Sequence, residues 1–348
     1  MDIKEIIDFL SSYRGRQIKI MEVCGTHTSS IFKNGIRSLI SPDIKLISGP
    51  GCPVCVTPVS FIDRCVEYAC SGDHTLLTFG DMMKVPGSEG SLSEAKGRGK
   101  ASIEIMYSPF EALEKAEKNR NITYVTAAVG FETTAPAYAL LIKEAEKRNI
   151  KNIRLVTALK TIVPALRWIC ENQEDIDGFI CPGHVSVITG SDIYKSLAEE
   201  YGKPFVIAGF EAEHILAAVY RILKQICEGS GKTENLYTNA VRSEGNLKAI
   251  EVMNEVFEPG PAMWRGLGII EDSGLYLRES LSGYDGGSRE LYRDMELPEG
   301  CRCSDVIVGK INPDQCPMFA ESCTPVKPFG PCMVSAEGAC GIWYRNVN

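Results

Sequence analysis

ITYVTAAVGFETTAPAYALLIKEAEKRNIKNIRLVTAL, residues 122–159, decides the fold class. Residues 122–130 are nearly continuous in apolar and β-branched side chains, as in a strand covered on both faces. Residues 135–148 are apolar at helical spacing, and 153–159 return to a continuous apolar run. Strand, helix, strand in that order joins parallel strands. The alternation extends outward. Strand-like runs fall at 17–23, 44–48, 74–80, 101–107, 176–181 and 204–210, and helical patterns at 58–70, 109–118, 163–171, 190–201 and 211–228. The expected fold is α/β, with two parallel-sheet domains split near 118–121 and a third, irregular C-terminal domain. Each of the first two then holds about four strands and its own cysteine or histidine loop.

The expected divisions are an N-terminal helix in 1–15, α/β domains at 16–120 and 121–230, and a last domain at 231–348. Ile3, Ile6, Ile7 and Leu10 form the apolar face of the first helix, and Gly15 ends it. Residues 81–100, rich in Gly, Ser and Lys, read as a long surface loop. Past 230 the alternation fades into a helix at 245–256 and a Gly-rich, strand-like stretch at 260–277. A tail dominated by Cys, Pro and Gly follows from 301.

The composition excludes several classes. With 44% apolar and 24% charged residues the chain is an ordinary globular one, and disorder is not its main state. No run of about 18 apolar residues predicts a membrane span. Residues 1–16 lack the apolar core of a secretory signal. A net charge of −8 argues against nonspecific nucleic-acid binding. Fourteen cysteines in 348 residues fall well short of the roughly 8–10% of a disulfide scaffold. A reducing cytoplasm is expected, where clustered cysteines mean metal or redox chemistry.

Reactive residues follow the strands: CGTHT (24–28), GPGCPVC (49–55), GFETT (130–134) and PGHVS (182–186). Ligands of open α/β sheets bind beyond the carboxyl ends of strands. GFETT alone reads as turn chemistry. Cys52-Pro53-Val54-Cys55 precedes a helix, where thiolates are favoured and disulfides exchange, so a redox pair is favoured over zinc. Cys65 and Cys70 read as packing residues. Cys24 and His27 suit a nucleophile pair, a soft metal site, or a buried cysteine beside a hydrogen-bonded histidine. Cys301, Cys316, Cys323 and Cys340 read C-x14-C-x6-C-x16-C, with Cys303 and Cys332 extra. That spacing in an irregular tail suits a [4Fe–4S] cluster better than zinc, which uses closer pairs. Gly229-Ser230-Gly231-Lys232-Thr233 imitates a phosphate loop but lacks the upstream glycine and strand.

MEVCGTHT (21–28), GPGCPVCVTP (49–58), FGDMMKVPGS (79–88), VGFETTAPA (129–137), PGHVSVITG (182–190), AGFE (208–211) and CPMFAESCTPVKPFGPCMVSAEGAC (316–340) run from end to end. In these stretches the sequence closely resembles the HypD family of [NiFe]-hydrogenase maturation factors. The resemblance implies a scaffold that, with a small HypC-like chaperone, holds the iron carrying the Fe(CN)2CO group during its assembly. Cyanide would come from a HypE-like partner. Cys24 would be the ligand of this transient iron, with His27 assisting, and Cys52 and Cys55 would be a redox pair. Cys301, Cys316, Cys323 and Cys340 would hold a [4Fe–4S] cluster in a third domain that includes the N-terminal helix. Two other classes compete: a cluster-dependent thiol–disulfide reductase acting on a protein disulfide, and a zinc-stabilised interaction module.

Overall fold

The computed structural model describes residues 2–289, 291–294 and 299–347. Its strands are β1 (Ile18–Glu22), β2 (Ile44–Ser48), β3 (His74–Thr78), β4 (Ile103–Ile105), β5 (Thr123–Gly130), β6 (Ile153–Leu159), β7 (Gly178–Cys181), β8 (Phe205–Ile207), β9 (Thr233–Asn235), β10 (Phe257–Trp264) and β11 (Gly268–Leu277). Two sheets form, in orders β2-β1-β7-β8-β9 and β4-β3-β5-β6. Every pairing in both is parallel. β10 and β11 make an antiparallel hairpin with a register shift between Gly260 and Ala262.

The sheets are therefore not consecutive halves divided at 118–121. The chain leaves the first sheet after β2, builds the whole second sheet, and returns at β7, which pairs with β1 through Ile20 and Gly178. Apolar periodicity reports that a strand is covered on both faces; it carries no information about which strand lies beside it.

The first helix, Ile3–Ser12, buries Ile6 and Leu10 with Ile18 and Ile20 of β1 and the apolar face of helix Ala212–Cys227. Phe9 meets Tyr220 edge to face at 5.0 Å. This helix belongs to the first sheet, a correction to its expected place in the C-terminal domain. Ile215, Leu216, Val219, Ile222 and Leu223 are also buried there. Burial of each contributes about 1.5–3 kcal/mol.

Residues 81–100 are not a plain loop. They contain a 3₁₀ turn at Gly80–Lys84 and a helix at Leu92–Gly97, started by reciprocal hydrogen bonds between Ser91 and Glu94. Met82, Val85, Leu92 and Ala95 are buried. The phosphate-loop imitation leads from a helix into β9, the reverse of the order such a loop needs. From residue 301 the chain is irregular, with short helices at Cys303–Ile307 and Pro331–Val334 and a longer one at Ala339–Val347. No helix among the described residues is long and apolar enough to cross a membrane.

Candidate functional site

Cys24 leaves β1 and serves as N-cap of helix Gly25–Lys33, where sequence reading saw only a tight turn. The segment is mostly polar, and its burial is limited to Gly25, His27, Thr28 and Ile31, so helical periodicity was weak. The Cys24 side chain makes no capping hydrogen bond to this helix, although the nearby Thr26 and the His27 backbone favour its thiolate. A helix N-terminus normally lowers a thiol pKa. Here desolvation outweighs that influence and pushes the pKa up to about 11.

Two glycines bring neighbouring segments onto this cysteine. A Cβ on Gly51 would fall 2.5 Å from the Val23 carbonyl carbon and 2.6 Å from the Cys24 nitrogen. One on Gly25 would fall 2.3 Å from the Glu337 carbonyl oxygen. Only a residue without a side chain permits either approach. The first places the Cys52–Cys55 loop across Cys24; the second places the C-terminal segment against it.

Glu22 is fully buried beneath the cysteine, the one acid in a strand whose other buried residues are apolar. It accepts the Cys24 N–H at 3.3 Å and the Thr28 hydroxyl. Desolvation raises its pKa to about 7. An acid inside the run IKIMEV was the available sequence signal, and sequence reading passed over it.

His27 is wholly buried, its Nε2 3.2 Å from the Gly209 carbonyl oxygen. A carbonyl only accepts, so Nε2 carries the proton and Nδ1, which has no partner, is the free base. Desolvation lowers its pKa to about 4, which keeps the ring neutral near pH 7. Phe210 lies between His27, at 4.9 Å, and His184, at 4.2 Å, ring centre to ring centre. His214 lies nearby against Tyr237. Three of the four histidines thus gather beyond β7 and β8.

Cys52 and Cys55 are joined as a disulfide, with Cα atoms 5.3 Å apart, just before helix Val59–Cys70. Both are buried, at 5% and 2% exposure. Cys65 is packed in the core as expected, whereas Cys70 is exposed.

Cys301, Cys303, Cys316, Cys323, Cys332 and Cys340 all line one cavity, together with Phe319, Gly330 and Met333. Among the described residues no three His, Cys, Asp or Glu side chains meet in the arrangement of a metal site. The cavity nevertheless fits an iron–sulfur cube in its donors: six thiols, an otherwise apolar lining, and no oxygen-bearing side chain in its wall. A cube takes each thiolate at a different corner, so its ligands do not converge on one point. Burial pushes Cys301 up to about 12 and Cys323 above the usual thiol value. Burial of this kind favours the neutral thiol over a free thiolate.

Cys332, set aside as extra in the sequence, also lines a second cavity with Cys52, Cys55, Gly25, Thr28, Ser48 and Glu337. One wall therefore separates the C-terminal cysteines from the disulfide and the Cys24 helix. The Cys55 sulfur lies 4.0 Å from the Pro331 carbonyl, next to Cys332.

A family model described as HypD, hydrogenase formation hypA family, matches residues 2–347. The chain belongs to the HypD family. It is 40% identical over 347 residues to the hydrogenase maturation factor HypD of Escherichia coli, covering 99% of this chain and 93% of that protein. A putative hydrogenase expression/formation protein of Methanocaldococcus jannaschii is likewise 40% identical, covering 99% of this chain and 96% of its own length. The HypD of Rhodobacter capsulatus matches at 40% identity, over 99% of this chain and 93% of the relative.

GFETT has a structural use, as its sequence suggested. Glu132 Oε1 accepts the Ile162 N–H at 2.9 Å and caps helix Ile162–Asn172, while Oε2 has no partner. Desolvation raises its pKa to about 7.

Proposed function

We propose that this chain is a hydrogenase maturation factor which, with a HypC-like chaperone, holds iron while cyanide and CO are added to make the Fe(CN)2CO group. The iron is cargo, and Cys24 is its ligand from this chain. Cyanide arrives from a HypE-like partner. Cys52 and Cys55 act as a dithiol/disulfide pair, and Cys301, Cys316, Cys323 and Cys340 hold a [4Fe–4S] cluster. When bound, such a cluster supplies electrons one at a time.

The convergence of three cysteine groups carries this reading. Cys24 and the Cys52–Cys55 loop cross at Gly51, and the C-terminal cavity shares Cys332 with the cavity beside that disulfide. Thiolates are soft donors suited to low-valent iron. Glu22 fixes the helix that presents Cys24, and neutral His27 offers a lone pair rather than a proton. Reducing Cys52–Cys55 takes two electrons and two protons and returns two thiols. Their burial favours an electron route through the protein over direct exchange with a protein disulfide. That observation weighs against the reductase reading.

Anaerobic co-purification with a HypC-like chaperone tests the proposal. It should yield a brown complex with about four iron and four sulfide per chain beyond the cargo iron. The complex should show infrared bands of bound cyanide and CO. Zinc in place of iron, or a complex without these bands under maturing conditions, contradicts it.

A further inference from the structure

Helix Gly25–Lys33, capped by Cys24, lies against helix Ala339–Val347, which carries Cys340 in its first turn. They are tied at two levels. At the cysteine end Gly25 rides on Glu337. Further along, Phe32 meets Trp343 edge to face at 4.8 Å. The Arg37 guanidinium covers both rings, 4.5 Å from the centre of Phe32 and 5.1 Å from that of Trp343. Ring and cation contacts of this kind contribute about 0.5–2 kcal/mol each.

Arg37 is costly as mere packing. Its Nη2 donates to the Leu46 carbonyl at 3.3 Å, but its Nη1 is buried without a partner, as is Trp343 Nε1. Its charge acts on two carboxylates. One is Glu22, which accepts the Cys24 N–H; the other is Asp314, two residues before Cys316. Arg37 therefore joins the β2 carbonyl of Leu46 to the ring pair that links the two helices.

We propose that Trp343, Phe32 and Arg37 are positioning residues that clasp the Cys24 helix to the C-terminal cysteine region, so that filling of that region sets the exposure of the Cys24 thiol. This rests on the reading above that those cysteines hold a cluster. If the clasp carries the coupling between the cavity and Cys24, loosening it and emptying the cavity have the same effect on Cys24.

Iodoacetamide labelling of the full-length, anaerobically purified chain tests this, with Cys24 measured by mass spectrometry against buried Cys181 as internal standard. Stripping the metal from wild-type protein with a chelator should speed Cys24 labelling about tenfold, within the usual range for coupled sites, and leave Cys181 unchanged. Trp343→Leu, retaining its iron, should already label at the faster rate and gain nothing on stripping. Trp343→Phe preserves the ring contact and should match wild type. Arg37→Met gives the same comparison if Trp343→Leu does not fold. The clasp is overturned if stripping leaves the wild-type Cys24 rate unchanged, or if Trp343→Leu still responds to stripping as wild type does. A purified chain without iron or sulfide would sink the cluster reading instead. The clasp would then stand or fall on whether Trp343→Leu labels faster than wild type and Trp343→Phe.

Discussion

At the carboxyl edge of β1 and β7 the chain places Cys24, His27 and His184; at the edge of β5 and β6 it places Glu132 and Lys160. On the second edge the fold gives each group a structural hydrogen bond, although Glu132 Oε2 is left without a partner. Glu132 caps a helix, and Lys160 donates to the Met263 carbonyl at 2.6 Å beneath the β10–β11 hairpin, with its ammonium 5.1 Å from the Trp264 ring centre. Desolvation lowers the Lys160 pKa to about 7. On the first edge donors are left over: the Cys24 sulfur, His27 Nδ1 and the neighbouring cysteine loops. The carboxyl end of a parallel sheet marks where a site can form. Which end becomes one depends on whether its reactive groups have already been spent on capping and closure.

The sharpest way to break this contrast is at the C-terminal cavity. Cys323→Ala should reduce iron and sulfide from about four per chain to nearly none, while Cys303→Ala retains them. Full retention in Cys323→Ala removes the assignment.

The next effect concerns the structural edge. Glu132 titrates near pH 7 when folded and near 4.5 otherwise, so the folded chain binds more protons between those values. Its contribution to stability therefore falls as pH rises from about 4.5 to about 7. Glu132→Gln retains a capping oxygen and removes that dependence. Its stability relative to wild type, from urea unfolding, should rise by about 3 kcal/mol between pH 4.5 and pH 8. A difference independent of pH would mean that Glu132 is not a buried, strongly shifted acid.

Gly51→Ala should cost about 2 kcal/mol, because its methyl meets the Val23–Cys24 backbone. It should also disturb Cys24 labelling, since the same contact sets the cysteine loop on the helix. A neutral substitution would show that the two loops are not held together there. Smallest of all, Cys70→Ser at an exposed position should change stability by less than about 0.5 kcal/mol and leave iron content unaltered.

Much of the fold was legible because strands such as 122–130 and 153–159 are continuous apolar runs, and buried parallel strands require that pattern. The return of β7 to β1 was not, since pairing depends on tertiary partners absent from local periodicity. β9, a three-residue half-buried edge strand, had no pattern to read. The candidate cysteines were legible from their loops and spacing. Cys332 at the shared wall and the Phe210 histidine cluster depend on contacts between segments distant in sequence, and the burial of Glu22, though it holds the nearby Cys24 and Thr28, is set by the tertiary fold. A lone acid in β1 was the one local clue among them.

Infrared spectroscopy of a Cys24→Ser variant co-purified with a HypC-like chaperone tests the central claim most directly. Serine preserves size and the helix N-cap, so the fold and the C-terminal iron and sulfide should remain. The account predicts that the cyanide and CO bands seen in the wild-type complex disappear. Bands of normal intensity in the Cys24→Ser complex would place the assembly iron elsewhere.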